Sequence, residues 1–159
     1  MKTTSERLEV RRELEIAASP ETVWGFLVDP EKARRWWGLD VRLDPRPGGE
    51  FRVHVVPGSV ATGEFLELDP PRRLVYTWGW AEGGGGSDLV PPGSSTVEIE
   101  LEPSQTGTTL RLVHRGFPTA EAAGNHGAGW EHYLGRLAVA AAGGDPGRDT
   151  WLDRADANA

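Results

Sequence analysis

A chain of 159 residues is the size of one domain and long enough to enclose a sizeable core. A net charge of −7 and a pI of about 5.1 argue against nucleic acid or an anionic membrane as a partner, because both need a basic surface. The absence of cysteine excludes disulfides, thiolate nucleophiles and cysteine metal sites, and no apolar run approaches the ~18 residues of a membrane span.

The N-terminal stretch MKTTSERLEVRREL is charged throughout and lacks the apolar core of a secretory signal, so a cytoplasmic location is expected. Within it, Arg7 to Ile16 alternates, with Leu8, Val10, Leu14 and Ile16 on one side and Arg12 interrupting the apolar row. This predicts a half-buried strand. Ser19 is a good N-cap and Pro20 suits a first helical position, which predicts a helix over Pro20 to Val28. Asp29-Pro30 ends it and caps a second short helix over Glu31 to Trp37. A short strand is expected within Gly38 to Asp44, then a turn at Pro45 to Gly49. Strands follow at Glu50 to Val56, Val60 to Leu68 and Leu74 to Trp80, with Leu74, Tyr76, Trp78 and Trp80 sharing a face.

Ala81 to Ser94 is a long Gly/Pro/Ser loop, either a tolerated insertion or a functional segment. Ser95 to Glu102 alternates cleanly, with Val97, Ile99 and Leu101 inward and Glu98, Glu100 and Glu102 outward. Thr108 to Arg115 places Leu110, Leu112 and His114 on one face. Asn125 to Ala142 reads as a long helix, since Trp130, Leu134, Leu137, Ala138 and Ala141 follow the 3.6-residue period. That helix is roughly 27 Å long. Its face tapers from Trp to Ala, so it would stand off a sheet at its Trp end and leave room for a cavity there. Residues 1–144 are expected to form the domain and 145–159 a tail docking through Trp151.

Strand, two helices, a run of strands and one long helix define an α+β class. Short turns make the sheet antiparallel, and only the last helix is long enough to cover its apolar face. The segments SPETVWGFLVDPEKARRWW, DPRPGGEF, GEFLELDPPRRLVYTW, GTTLRLVHRGFP and HGAGWEHYLGRL occur in this order. Together they resemble the SRPBCC (START-like, Bet v-like) superfamily, in the branch of activators of the heat-shock-protein ATPase. The resemblance covers about Leu8 to Gly143. It implies a helix-grip fold: a curved antiparallel sheet of six to seven strands around a C-terminal helix, with an internal cavity for apolar ligands. Departures are the glycine run at Gly83 to Gly86 and the glycines before the last helix, Gly124 and Gly127.

His114 faces the helix-covered side. It reads either as a polar anchor or proton donor in an apolar cavity, or as a histidine satisfied near the sheet edge. His126, one turn before Trp130, is placed to approach it. Two histidines without a third ligand at a recognisable spacing do not make a metal site, and no metal or cofactor is expected. The ligand-lining candidates are Trp37, Phe51, Trp78, Leu112, His114, His126, Trp130 and Leu134. Trp36 and Trp37 are expected to face different ways on a helix, and Trp80 lies near the open end. Glu64 and Glu67 are expected on opposite faces of one strand, one of them inward as a potential base, or else Glu67 pairs with Arg72 or Arg73 across the turn. His54 and His132 are expected outward in solvent.

The leading expectation is a small protein that binds a hydrophobic or aromatic molecule, lipid- or polyketide-like, between sheet and helix. One alternative is a polyketide cyclase or dehydratase-like enzyme using His114 as acid–base. Another is a stress-response or co-chaperone-like module. A homodimer and a protein partner are both left open.

Overall fold

Side-chain alternation builds the sheet. The computed structural model describes residues 8–81 and 89–154. Seven strands form one antiparallel sheet: β1 (Glu9–Ile16), β2 (Asp40–Leu43), β3 (Glu50–Val56), β4 (Ser59–Asp69), β5 (Arg73–Trp80), β6 (Ser95–Ser104) and β7 (Gly107–Arg115). Its order is β1-β7-β6-β5-β4-β3-β2. The helices α1 (Pro20–Val28) and α2 (Pro30–Ala33) carry the chain from one sheet edge to the other, so β1 pairs with β7 and not with β2. A long helix, α3 (Ala120–Ala141), covers the inner face. A short 3-10 helix follows at Thr150–Arg154. This is the helix-grip arrangement of an α+β domain.

The caps act as their chemistry requires. Ser19 Oγ accepts from the Thr22 N–H, and Asp29 Oδ1 accepts from the Glu31 N–H at 3.0 Å. The last helix begins earlier than the expected Asn125. Thr119 caps it through the Ala122 N–H, and Gly124 and Gly127 lie inside it. Glycine costs a helix interior only about 1 kcal/mol, which packing readily outweighs. At Gly127 a Cβ would sit 3.7 Å from Val10, in ordinary contact, and 2.8 Å from Arg12 Nη2, the movable end of that side chain. Helix α3 therefore crosses β1 closely. Its buried face is Trp130, Tyr133, Leu134, Leu137, Ala140 and Ala141, with Ala138 only half-buried.

The second short helix stops at Ala33 instead of continuing to Trp37. The following turn lets both indoles face the core, against the expectation for a helical pair. Trp36 and Trp37 are both buried and stack at 4.6 Å, and Trp36 Nε1 donates to the Phe26 carbonyl at 2.9 Å. The expected inward carboxylate is also absent from β4, where Glu64 and Glu67 are both exposed. The register slips between Phe65 and Glu67, so one extra residue resets the alternation and turns Glu67 outward. There it pairs with Arg73 at 3.1 Å.

The outer sheet face is a lattice of paired charges. Arg73 reaches Glu67, Glu98 and Glu100; Arg111 reaches Glu13 and Glu102; Arg115 reaches Glu98. The glycine run at Gly83 to Gly86 lies outside the described residues. The far limb of that loop packs back on β5: the Trp80 N–H donates to the Val90 carbonyl at 2.7 Å, and Val90 is buried.

Candidate functional site

Trp78, on the inner face of β5, is the centre of an aromatic box. Trp37 lies parallel to it at 5.9 Å, and Phe51 and Trp130 lean against it at 5.9 and 5.7 Å. His114 meets it edge-on at 5.6 Å and Trp80 at 5.4 Å. Four elements supply these rings: β3, β5, β7 and α3, with the turn after α2 adding Trp37. Leu112 precedes His114 on the same face of β7, and Leu134 follows Trp130 by one turn of α3; both are buried. All eight sequence-predicted residues thus fall in one core region. The space expected between sheet and helix at the Trp end of α3 is occupied by these rings packed on one another. An open groove of about 350 Å³ lies instead along the outer sheet face, among Arg11, Glu13, Glu98, Glu100 and Arg111.

His114 is fully buried and its hydrogen bonds fix its tautomer. Trp130 Nε1 donates to His114 Nδ1 at 2.9 Å, so the ring proton is on Nε2. Nε2 donates to Ser95 Oγ at 2.9 Å, and Ser95 Oγ donates to the Trp78 carbonyl at 2.7 Å. Each member of this relay is satisfied with every group neutral. Burial holds the His114 pKa well below its ordinary value, and the neighbouring His126 lowers it further.

His126 sits above His114, with ring centroids 5.5 Å apart, and Phe117 packs on both. Trp80 Nε1 donates to His126 Nε2 at 3.1 Å, so Nδ1 carries the proton and donates to the Ala122 carbonyl at 2.8 Å. Burial lowers the His126 pKa, partly offset by that carbonyl. Trp78 is different. Its Nε1 is buried and has no hydrogen-bond partner among the described residues.

Sequence reasoning missed Ser95 and Phe117 as members of this site, and weighed Trp36 among the aromatic residues without counting it in the lining. Ser95 stands two residues before Val97, so the alternation that sends Val97 inward sends Ser95 inward too. Its polarity at that position was the available signal. His54 and His132 are not the solvated histidines expected. His54 Nε2 is buried without a partner among the described residues. His132 stacks on Trp151 at 4.3 Å and bonds Asp149 through Nε2 at 2.7 Å. Among the described residues, no group of three or more His, Asp or Glu is placed to hold a metal ion.

Comparison with known proteins places this geometry. Residues 17–142 match the family described as Activator of Hsp90 ATPase homolog 1-like protein. An AHSA1-like protein of Rhizobium etli, solved by NMR, is 48% identical, over 90% of this chain and 87% of that one, with a TM-score of 0.72. Protein MLL2253 of Mesorhizobium loti is 28% identical, over 83% of this chain and 95% of that one, with a TM-score of 0.73. DynU16, described as a protein of the dynemicin biosynthetic locus, is 26% identical with a TM-score of 0.75; the match covers 89% of this chain and 50% of DynU16. No protein of curated function matches. With its helix-grip fold and a family match over most of its length, the chain belongs to the AHSA1 family of the SRPBCC superfamily.

Proposed function

We propose that this protein binds a hydrophobic or aromatic small molecule between the inner sheet face and α3. The observation that carries the reading is the convergence of Trp37, Phe51, Trp78 and Trp130 around the relay of His114. Together these rings offer a ligand flat, polarisable faces with polar edges in one place. The turn bearing Trp37 is the part of the box that is neither helix nor strand, and a ligand would enter by displacing it. A ligand would gain affinity from apolar burial at roughly 25 cal/mol per Å². His114 then serves as a neutral support that fixes Trp130, Ser95 and Trp78.

A titration with the neutral probe N-phenyl-1-naphthylamine tests this. Saturable quenching of tryptophan fluorescence is expected, with native mass spectrometry retaining one apolar molecule per chain. Unchanged fluorescence with a clean apo mass would overturn the reading.

A second reading is a cyclase-like enzyme with His114 as acid–base. The likeness to DynU16, a protein of a biosynthetic locus, favours considering it. To act so, His114 must release Trp130 or Ser95, since both ring nitrogens are engaged. Full turnover by His114→Ala on an identified substrate would remove this mechanism.

A further inference from the structure

Three indoles of the core region direct their N–H to an acceptor: Trp36 to the Phe26 carbonyl, Trp80 to His126 and Trp130 to His114. Trp78, more central than any of them and only 4% exposed, has none among the described residues. A buried donor left unpaired costs about 1–3 kcal/mol, so native cores rarely keep one without a reason. The polar groups packed around it are already committed. His114 and His126 each have both nitrogens engaged, and the Ser95 hydroxyl is held between the Trp78 carbonyl and His114.

We infer that the molecule held in the aromatic box presents a neutral hydrogen-bond acceptor, such as a ketone, ester or ether oxygen, to the indole N–H of Trp78. This rests on the binding role proposed above and specifies its ligand. Flatness follows from the ring face that Trp78 gives to Trp37, which stacks on it within 4° of parallel at 5.9 Å: a ligand that displaces the Trp37 turn takes over that flat face. Neutrality follows from the charges nearby. A carboxylate there would be desolvated with no cation to meet it. Arg12 is paired with Glu131 outside the box, and Arg136 is engaged by the carbonyls of Trp36, Pro146 and Gly147. A carbonyl oxygen instead satisfies the orphaned N–H at no charge-desolvation cost. Trp78 is thus the residue that sets specificity, and a fatty acid is a poor ligand although it is apolar.

Calorimetric titration with 9-fluorenone, fluorene and fluorene-9-carboxylate separates the possibilities, since the three share one flat frame. The wild type is expected to bind fluorenone about tenfold tighter than fluorene, the effect of one buried hydrogen bond, and the carboxylate weakest. In Trp78→Phe, which keeps a ring and removes the N–H, the ketone preference should fall to within about twofold. The Trp78 indole N–H signal in the wild type gives a reading that needs no variant. It should move downfield with fluorenone and stay in place with fluorene. Equal binding of ketone and hydrocarbon, or a ketone preference that survives Trp78→Phe, would overturn the inference and leave the binding role standing. Binding of neither neutral compound would overturn the inference, and the binding role with it only if N-phenyl-1-naphthylamine also left the tryptophan fluorescence unchanged. An unmoved indole signal in a fluorenone-saturated sample would count against the inference even if the variant failed to fold.

Discussion

His114 has no spare nitrogen. One ring nitrogen accepts from Trp130 and the other donates to Ser95, so a proton added at Nδ1 would face the indole N–H. His114→Ala removes the acceptor of a buried indole and leaves a void in the box. The expected cost is about 3 kcal/mol of stability, read as a lower urea midpoint with an unchanged slope. The same burial predicts a pH dependence. Burial depresses the pKa of His114 and His126 in the folded protein, while the unfolded chain titrates near 6.5. Below about pH 6.5 the unfolded state therefore binds more protons than the native state. The stability from these two rings is fully present above that pH and declines as pH falls toward their folded values. Ring-proton NMR should find His114 still neutral at pH 6, and a ring titrating at 6.5 would refute it. The orientation of His114 was legible, because it continues the alternation of Leu110 and Leu112. Its partners were not, since Ser95 and Trp130 reach it from other elements through single atoms that no spacing rule encodes.

At the level of elements, regular patterns were legible and their interruptions were not. The strands from Glu50 to Val56 and Ser95 onward alternate because each has one wet face and one dry face. The slip in β4 has no comparable signature, and it turns Glu67 outward beside Glu64, so neither carboxylate is the inward one expected. Glycines report the same distinction. Gly135 is exposed in the middle of α3, and a Cβ added to it would meet nothing within 4 Å. Gly135→Ala should therefore stabilise the protein by about 1 kcal/mol, through helix propensity alone. Gly63 in β4 is the opposite case: a Cβ would collide with the Thr77 carbonyl, and the Thr77 side chain already accepts from the Glu64 N–H at 2.9 Å. Gly63→Ala should cost about 3 kcal/mol or prevent folding, by forcing β4 and β5 apart. Parallel thermal melts of the two variants check both signs. Equal effects would mean that close backbone approach at Gly63 is not what keeps it glycine.

For the whole molecule, the C-terminal segment decides how the grip is closed. The sequence suggested a domain ending at Gly144 and a tail, because 145–159 is polar and small apart from Trp151 and Leu152. Composition could not reveal Asp149, which looks like any surface carboxylate and is only 6% exposed. It accepts from the Tyr133 hydroxyl at 2.7 Å, bonds His132 Nε2 at 2.7 Å and accepts from the Trp151 N–H at 2.9 Å. Burial pushes its carboxyl pKa up, but these hydrogen bonds outweigh burial and hold it below the usual carboxylate range. Arg136 adds a second clasp, bridging the Trp36 carbonyl to those of Pro146 and Gly147. Trp36 stacks on Trp37, so the clasp also braces the turn that walls the aromatic box. Cutting the chain after Gly144 takes Asp149 from the Tyr133 hydroxyl, leaves the Arg136 guanidinium only the Trp36 carbonyl of its three, and uncovers the His132 ring. The truncated protein should lose about 3 kcal/mol, with most of that loss reproduced by Asp149→Ala in the full chain. If the tail braces the box as well as the helix, both variants should also raise the on-rate for N-phenyl-1-naphthylamine, because the Trp37 wall opens more often. Loss of stability without faster entry would confine the tail to holding α3, and wild-type stability in Asp149→Ala would show that the clasp rests on Arg136 alone.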